Sequence, residues 1–169
     1  DNFLKLFKNK TSCELFSLVF PQLKNFKKLS KLSKPQEKIL KNKSLNFVIS
    51  FLVIDETDNS DYFVYKYNLP NELKDKIKFL KNNSLNKNSN EIFNKKELQK
   101  IFYYEGKFST IDLIDFNLLY FKQSKKLLEL KIYFEKLDKP EFPIKAQQLI
   151  NNYGSVSYTH LTLPTRGLV

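Results

Sequence analysis

"SLNFVISFLVID", residues 44–55, is the stretch on which the fold class of this chain depends. Its mainly apolar run, Leu45 to Ile54, fits either a buried strand or a short buried helix, because periodicity alone does not separate the two. Ser44 stands where a helix N-cap would accept a hydrogen bond from a free backbone amide. Helical patterns lie on both sides of the run. We therefore predict a helix here, and with it an all-α fold and no membrane-spanning segment, since ten residues are too few.

Towards the N-terminus, the sequence predicts three further helices. "TSCE", residues 11–14, has the form of a capping box, and the helix that it opens should stop before Pro21. A basic segment follows, with apolar residues at near-helical spacing: Leu23, Phe26, Leu29 and Leu32. Pro35 fits the first turn of the next helix. With the C-terminal side included, we expect an irregular array of about eight to ten short helices.

Towards the C-terminus, "KNNSLNKNSNE", residues 81–91, is predicted to be a loop and a candidate boundary between two helical subdomains. Asn94 is a plausible N-cap with Glu97 three residues later, and Gly106 stands where a left-handed C-terminal cap belongs. Apolar residues at helical spacing mark three core-facing stripes: Leu73, Ile77 and Leu80; Ile111, Ile114 and Leu118; Leu127, Leu130, Phe134 and Leu137.

The composition excludes several catalytic chemistries. His160 is the one histidine of the chain, so residues 1–154 offer no imidazole base and no histidine metal ligand. Cys13 is the one cysteine, and three glycines are too few for a glycine-rich phosphate loop. The carboxylates of residues 55–61 and 112–115 lack the D-x-D spacing of a metal clamp, and we assign them to helix caps and a solvated face. We expect no catalytic and no metal-binding residue.

The net charge of +11 permits a nucleic-acid partner. An A/T-rich genome would also enrich Lys, Asn, Ile and Phe, so the charge alone does not prove one. Lys24, Lys28 and Lys31 are predicted to share the outer face of one helix, although an ordinary solvated helix face is an alternative. The candidate RNA-binding residues are Lys24, Lys27, Lys28, Lys31, Lys34, Lys38, Lys41, Lys43 and Lys145.

Four segments carry a family resemblance when they are taken in order: "ELFSLVFPQLKN" (14–25), "FVISFLVIDETDNSDYFVYKYNLPNELKDKIKFL" (47–80), "LQKIFYYEGKFSTIDLIDF" (98–116) and "FPIKAQQLINNYG" (142–154). Together they resemble the C-terminal helical half of bacterial CCA-adding tRNA nucleotidyltransferases and the related poly(A) polymerases. Phe20-Pro21-Gln22 resembles the end of a helix that a proline closes in that family, and Tyr67 to Glu72 resembles a turn that joins two helices there. Ala146 and Gln148 stand where the family often has Gly and usually has Asp.

The resemblance implies a cytoplasmic protein whose helical part binds and positions tRNA. Family members bind Mg²⁺, CTP and ATP in a head domain and its neck, whose motifs do not occur here, so we expect this chain to be an inactive fragment of an enzyme. A poly(A) polymerase of the same superfamily is one alternative function. A stand-alone helical interaction module without enzymatic activity is the other.

The last 15 residues, 155–169, differ in composition from the rest of the chain. They hold its one His, its one Arg and three of its six Thr, and they contain no Lys, Asn, Asp, Glu, Ile or Phe. From Val156 the sequence resembles a translated sequencing adapter. We therefore expect a helical region over residues 1–154 and a non-native tail over residues 155–169.

Overall fold

A computed structural model describes residues 9–84, 94–120 and 125–138 of the chain. These residues form eight α-helices and no strand, which confirms the predicted all-α fold. The described helices are α1 Lys10–Val19, α2 Phe26–Leu29, α3 Lys34–Lys41, α4 Leu45–Val53, α5 Asn59–Lys66, α6 Asn71–Ser84, α7 Lys95–Tyr120 and α8 Lys125–Lys136. Within the described ranges, none of them combines the length and the apolar character needed to cross a bilayer.

Helix α4 lies at the centre of the core, and the predicted helix over the apolar run is confirmed. Ser44 Oγ accepts a hydrogen bond from the backbone amide of Phe47 at 3.3 Å, as expected of an N-cap. Phe47 and Phe51 are fully buried and meet the ring of Phe116 in α7 edge-on, at centroid distances of 6.5 and 5.8 Å. A helix that is apolar on all sides must be covered on all sides, and α5, α6 and α7 pack against α4.

The C-terminal end of α4 is capped by side chains from two other parts of the chain. Asn25 Nδ2 donates to the carbonyls of Phe51 at 2.8 Å and Ile54 at 2.5 Å. Asn59 Nδ2 donates to the carbonyl of Val53 at 2.8 Å. The last carbonyls of a helix have no partner within it, so these amides satisfy groups that would otherwise be buried without a hydrogen bond. They also fix the segment before α2 and the start of α5 against α4.

The helices on both sides of residues 85–93 share one hydrophobic core. Leu73, Ile77 and Leu80 are buried on α6, as the sequence predicted. On α8, Phe134 is buried and its ring lies 5.6 Å from that of Phe102 in α7. Every described helix belongs to one compact unit. The described helices on the two sides of the candidate subdomain boundary at 81–91 therefore belong to the same unit.

Gly106 interrupts α7 with a backbone φ of +85° and ψ of 174°. A positive φ strains any residue with a Cβ, so glycine suits this position, as the sequence predicted. Helical geometry ends at Gly106, as the predicted C-terminal cap implies, and begins again directly after it, so the glycine forms a kink between the two helical parts of α7. Asn94 also takes its predicted place before α7, where its Oδ1 accepts from the amide of Lys96 at 3.1 Å.

Two local predictions need correction and one is confirmed. Helix α1 begins at Lys10 with Asn9 as N-cap, whose Oδ1 accepts from the amide of Thr11 at 3.0 Å, so Thr11 lies in the first turn and does not open a capping box. Helix α6 extends through Ser84, so the predicted loop at 81–91 starts later, and its residues 85–91 lie outside the described part. Pro35 does lie in the first turn of α3, as predicted.

Candidate nucleic-acid interface

The structure separates the candidate lysines into three groups. Lys28 and Lys43 are partly buried, whereas Lys145 lies outside the described residues, as do the last matched segment, residues 142–154, and the tail, residues 155–169. No described carboxylate forms an ion pair with any lysine of the third group. This third group is exposed and consists of Lys24, Lys27, Lys31, Lys34, Lys38 and Lys41.

The predicted row of Lys24, Lys28 and Lys31 on one helix is wrong, because α2 spans only Phe26–Leu29. Asn25 holds the preceding chain out of the helix, since both its amide groups donate hydrogen bonds to carbonyls at the end of α4. The prediction that the apolar residues of this basic segment face the core is confirmed. Its four apolar residues are buried or partly buried against the core: Leu23, Phe26, Leu29 and Leu32.

Lys28 is directed at the protein and not at solvent. Its ammonium nitrogen lies 3.0 Å from the centroid of the Tyr120 ring at the end of α7. Burial lowers the pKa of Lys28, and the nearby carboxylates of Glu56 and Asp55 only partly offset this effect. Burial of Tyr120, together with the negative charges of Glu56 and Asp55, raises the pKa of its hydroxyl. We therefore remove Lys28 from the candidate phosphate contacts.

A row of lysines does exist, but it lies on α3. Lys34, Lys38 and Lys41 are exposed and stand at i, i+4 and i+7, so they share one face of the helix. With a rise of about 1.5 Å per residue, neighbours in the row are roughly 4.5–6 Å apart along the axis. Leu40 is buried, and Gln36 donates to a backbone carbonyl of α7 at 2.8 Å. These contacts fix α3 to the core and leave its lysine face to solvent.

Lys43 belongs to a cluster of charged side chains inside the protein. Its ammonium nitrogen lies 2.7 Å from Asp112 Oδ1 and 2.6 Å from Asp115 Oδ2. Lys76 Nζ is 2.5 Å from the other oxygen of Asp112, and Lys131 Nζ is 2.7 Å from the other oxygen of Asp115. Burial alone would lower the pKa of Lys43, but Asp115 and Asp112 outweigh it, so that this pKa is raised. Lys43 is therefore held by carboxylates inside the protein and is not a candidate phosphate contact.

The assignment of residues 112–115 to a solvated face is therefore wrong. Asp115 is 1% exposed, and its partners come from the turn after α3 and from α8. No local pattern in the sequence shows this, because the partners are distant along the chain. In residues 55–61 the carboxylates do serve turns and the surface: Asp55 accepts from the amide of Thr57 at 3.0 Å, and Asp61 pairs with Lys81 at 2.7 Å.

The buried carboxylates of α7, Asp112 and Asp115, do not fit a Mg²⁺ site. A magnesium ion needs oxygen ligands that are free to coordinate it. Asp112 and Asp115 are each bound by two lysine ammonium groups, which occupy those oxygens. Elsewhere in the described ranges, no three residues among His, Cys, Asp and Glu come together as a possible metal site.

Sequence reasoning missed one surface feature, a group of exposed aromatic side chains around the kink in α7. Tyr103, Tyr104 and Phe108 are 49%, 77% and 86% exposed. The signal is present in "YYEGKF", residues 103–108, where three aromatic residues flank a glycine, but neither the predicted helix end nor the family resemblance of this segment predicts an exposed aromatic surface.

Comparison of the chain with protein-family models, with curated proteins and with solved structures gave no match.

Proposed function

We propose that this chain is an RNA-binding helical region, the part of a tRNA nucleotidyltransferase that holds tRNA while nucleotides are added to its 3′ end. The observation that carries the proposal is the exposed lysine row of α3, Lys34, Lys38 and Lys41, for which no described carboxylate forms an ion pair. Lys24, Lys27 and Lys31 add three exposed cations in the segment that precedes α3.

The physical basis of binding is the attraction between these ammonium groups and RNA phosphates. A lysine acts as a flexible point charge, which suits contact with a phosphate backbone and carries no base readout. An RNA helix displays phosphates and 2′-hydroxyls at its accessible surface, so a row of this kind recognises its shape and not its sequence. Release of counterions from the RNA would supply the driving force.

The resemblance to the nucleotidyltransferase family supports the choice of tRNA as the ligand. In that family, the segment matched by Tyr67 to Glu72 joins two helices, and here it connects α5 with α6. The segment matched around Tyr103 and Asp112 contains Gly106, which has the positive φ that favours glycine. These two local features support the proposal.

In this proposal, the chain contributes binding and positioning, and the reaction belongs to a head domain. Phosphoryl transfer from CTP or ATP needs metal ions that neutralise developing charge. The family resemblance assigns the metal-binding carboxylates to the head domain, so no catalytic step is assigned to the described residues. We expect the chain alone to incorporate no nucleotide into tRNA in the presence of Mg²⁺.

The test is tRNA binding by a variant in which Lys34, Lys38 and Lys41 are all replaced by Gln, measured at several salt concentrations. Each lost phosphate contact should flatten the slope of log affinity against log salt by roughly 0.7–0.9. If all three lysines contact phosphates, the slope should therefore change by about 2–3. The matched control replaces Lys125, Lys126 and Lys136 with Gln, because these lysines are also exposed and lie on α8.

The control separates a binding surface from a general effect of charge. An effect of the α3 variant that clearly exceeds that of the α8 variant supports the proposal. Equal effects would mean that only the net charge matters and that α3 is an ordinary solvated helix. If the unmodified chain does not bind tRNA at low salt, the proposed function fails, and a helical interaction module becomes the better interpretation.

A further inference from the structure

Three exposed aromatic side chains surround the kink of α7. Tyr103, Tyr104 and Phe108 lie within six residues, and Tyr104 and Phe108 are among the most exposed large apolar side chains described. The Tyr103 and Tyr104 rings meet edge-on, with centroids 5.3 Å apart and an interplanar angle of 88°. Exposed aromatic groups of this kind are typical of binding surfaces, since a protein gains no stability by leaving them in water.

The backbone between these side chains is open to a ligand. Gly106 separates Tyr104 from Phe108, and a Cβ placed on Gly106 would have no atom within 4 Å. The Cβ side of Gly106 therefore faces open space.

Two lysines stand next to the aromatic residues in the chain. Lys100 precedes Tyr104 by four residues, and Lys107 directly precedes Phe108. Lys100 forms an ion pair with Glu97 at 2.8 Å, while Lys107 directly follows Gly106. Aromatic faces next to cations are the combination by which proteins bind unpaired nucleotides: the bases stack on the rings and the cations attract the phosphates.

We propose that Tyr104 and Phe108, with Tyr103 packed edge-on against Tyr104, form a stacking platform for unpaired nucleotides of a bound RNA. The proposal rests on the proposed function, because it assumes that the chain binds RNA. It deepens that function by assigning the single-stranded part of the ligand to α7 and the helical part to the lysine row of α3.

The position of α3 on α7 makes simultaneous contact possible. Gln36 of α3 donates its hydrogen bond to the carbonyl of Leu118, near the C-terminal end of α7. Twelve residues separate Leu118 from Gly106, which corresponds to roughly 18 Å along a helix. This distance is about the width of an RNA duplex, and the proposal assigns a stem to α3 and an adjoining unpaired segment to α7.

The experiment compares two RNA hairpins with the same stem, one blunt and one with a four-nucleotide 3′ overhang that carries 2-aminopurine. They are titrated against the full chain, the double variant Tyr104→Ala/Phe108→Ala, the double variant Tyr104→Leu/Phe108→Leu, and the control Tyr65→Ala. Tyr65 is a suitable control because it is 88% exposed on α5. The leucine variant keeps an apolar surface but removes the planar rings.

We expect the overhang to raise the affinity of the unmodified chain about 10-fold, as one to two stacked bases would. 2-Aminopurine fluorescence should be quenched on binding. Both double variants should lose this gain and the quenching, while their affinity for the blunt hairpin stays unchanged and Tyr65→Ala behaves as the unmodified chain. This pattern would establish the platform.

Several results would overturn the platform. One is that the unmodified chain binds both hairpins equally well, which would leave the lysine row of α3 as the sole RNA contact. Another is that the leucine variant keeps the gain, since the patch would then act as an apolar contact and not by stacking. A third is concentration-dependent self-association that the alanine variant abolishes, which would identify a protein interface. Failure to bind either hairpin would instead refute the proposed function itself.

Discussion

The ammonium nitrogen of Lys43 lies 2.6 Å from the carboxylate of Asp115, which is almost completely buried. This pair is the centre of the charged cluster that also contains Asp112, Lys76 and Lys131. The cluster connects the turn after α3 with α6, α7 and α8. A buried ion pair contributes little net stability over an apolar replacement, but loss of one partner leaves an uncompensated charge. The arrangement of these four parts of the chain therefore depends on each member of the cluster.

Replacement of Asp115 with Ala should destabilise the chain strongly. Lys131 would lose its buried partner, and Lys43 would lose one of its two carboxylate partners. We expect a loss of about 3 kcal/mol in the free energy of unfolding. Urea titration followed by helical circular dichroism measures this loss. The control Asp75→Ala removes an exposed carboxylate of α6 and should change the free energy by no more than about 0.5 kcal/mol. A similar small change for Asp115→Ala would show that the cluster does not hold the helices together.

The contribution of Lys43 to stability should disappear at high pH. Its pKa is raised in the folded chain from the ordinary value of 10.5, so the folded state holds this proton more tightly than the unfolded state does. The contribution is therefore fully present below about 10.5 and is lost as the pH rises through the folded-state pKa. The difference in free energy of unfolding between the unmodified chain and Lys43→Gln should be constant from pH 7 to 9 and shrink above pH 10.5.

A matched variant isolates this effect from the titration of the other lysines. Lys41→Gln removes an exposed ammonium group two residues away, for which no described partner is present. Its difference from the unmodified chain should be small. If the two variants show the same pH dependence, the raised pKa of Lys43 has no influence on folding.

Asn25 should be essential for the C-terminal end of α4. Asn25→Ala removes both hydrogen bonds to the carbonyls of Phe51 and Ile54 and leaves them buried without these donors, which should cost about 2–3 kcal/mol. Asn83→Ala is the control, because Asn83 donates at a similar distance, 2.8 Å, but only to Phe79 in its own helix. We expect less than about 1 kcal/mol there. Thermal unfolding of the two variants measures the contrast, and equal losses would contradict the capping role.

Gly106→Ala should destabilise the chain through the backbone alone. The φ of +85° is unfavourable for alanine, while the added methyl group has no atom within 4 Å to clash with. We expect a loss of about 1–2 kcal/mol in the free energy of unfolding, in contrast to the gain that Gly→Ala gives inside a regular helix. Glu105→Ala, one residue earlier, serves as control and should be nearly neutral. Stabilisation by Gly106→Ala would show that α7 can continue as a straight helix.

The sequence by itself determined the fold class and most of the core. Ser44 and the apolar run after it predicted α4, and the stripe of Leu73, Ile77 and Leu80 predicted the buried face of α6. Both features are local, since a helix brings residues three and four apart onto one face and its cap lies next to it in the chain. The positive φ of Gly106 could be predicted for the same reason.

Only the tertiary structure decided which charged residues face solvent. Lys28 and Lys43 look like Lys34 and Lys38 in the sequence, yet Lys28 lies on the ring of Tyr120 and Lys43 on Asp115. Each of these partners comes from α7, far along the chain. The exposure of a lysine depends on such distant partners and not on its own neighbours. For this reason only the packed structure shows that the lysine row of α3 and the aromatic group of α7 are exposed to solvent.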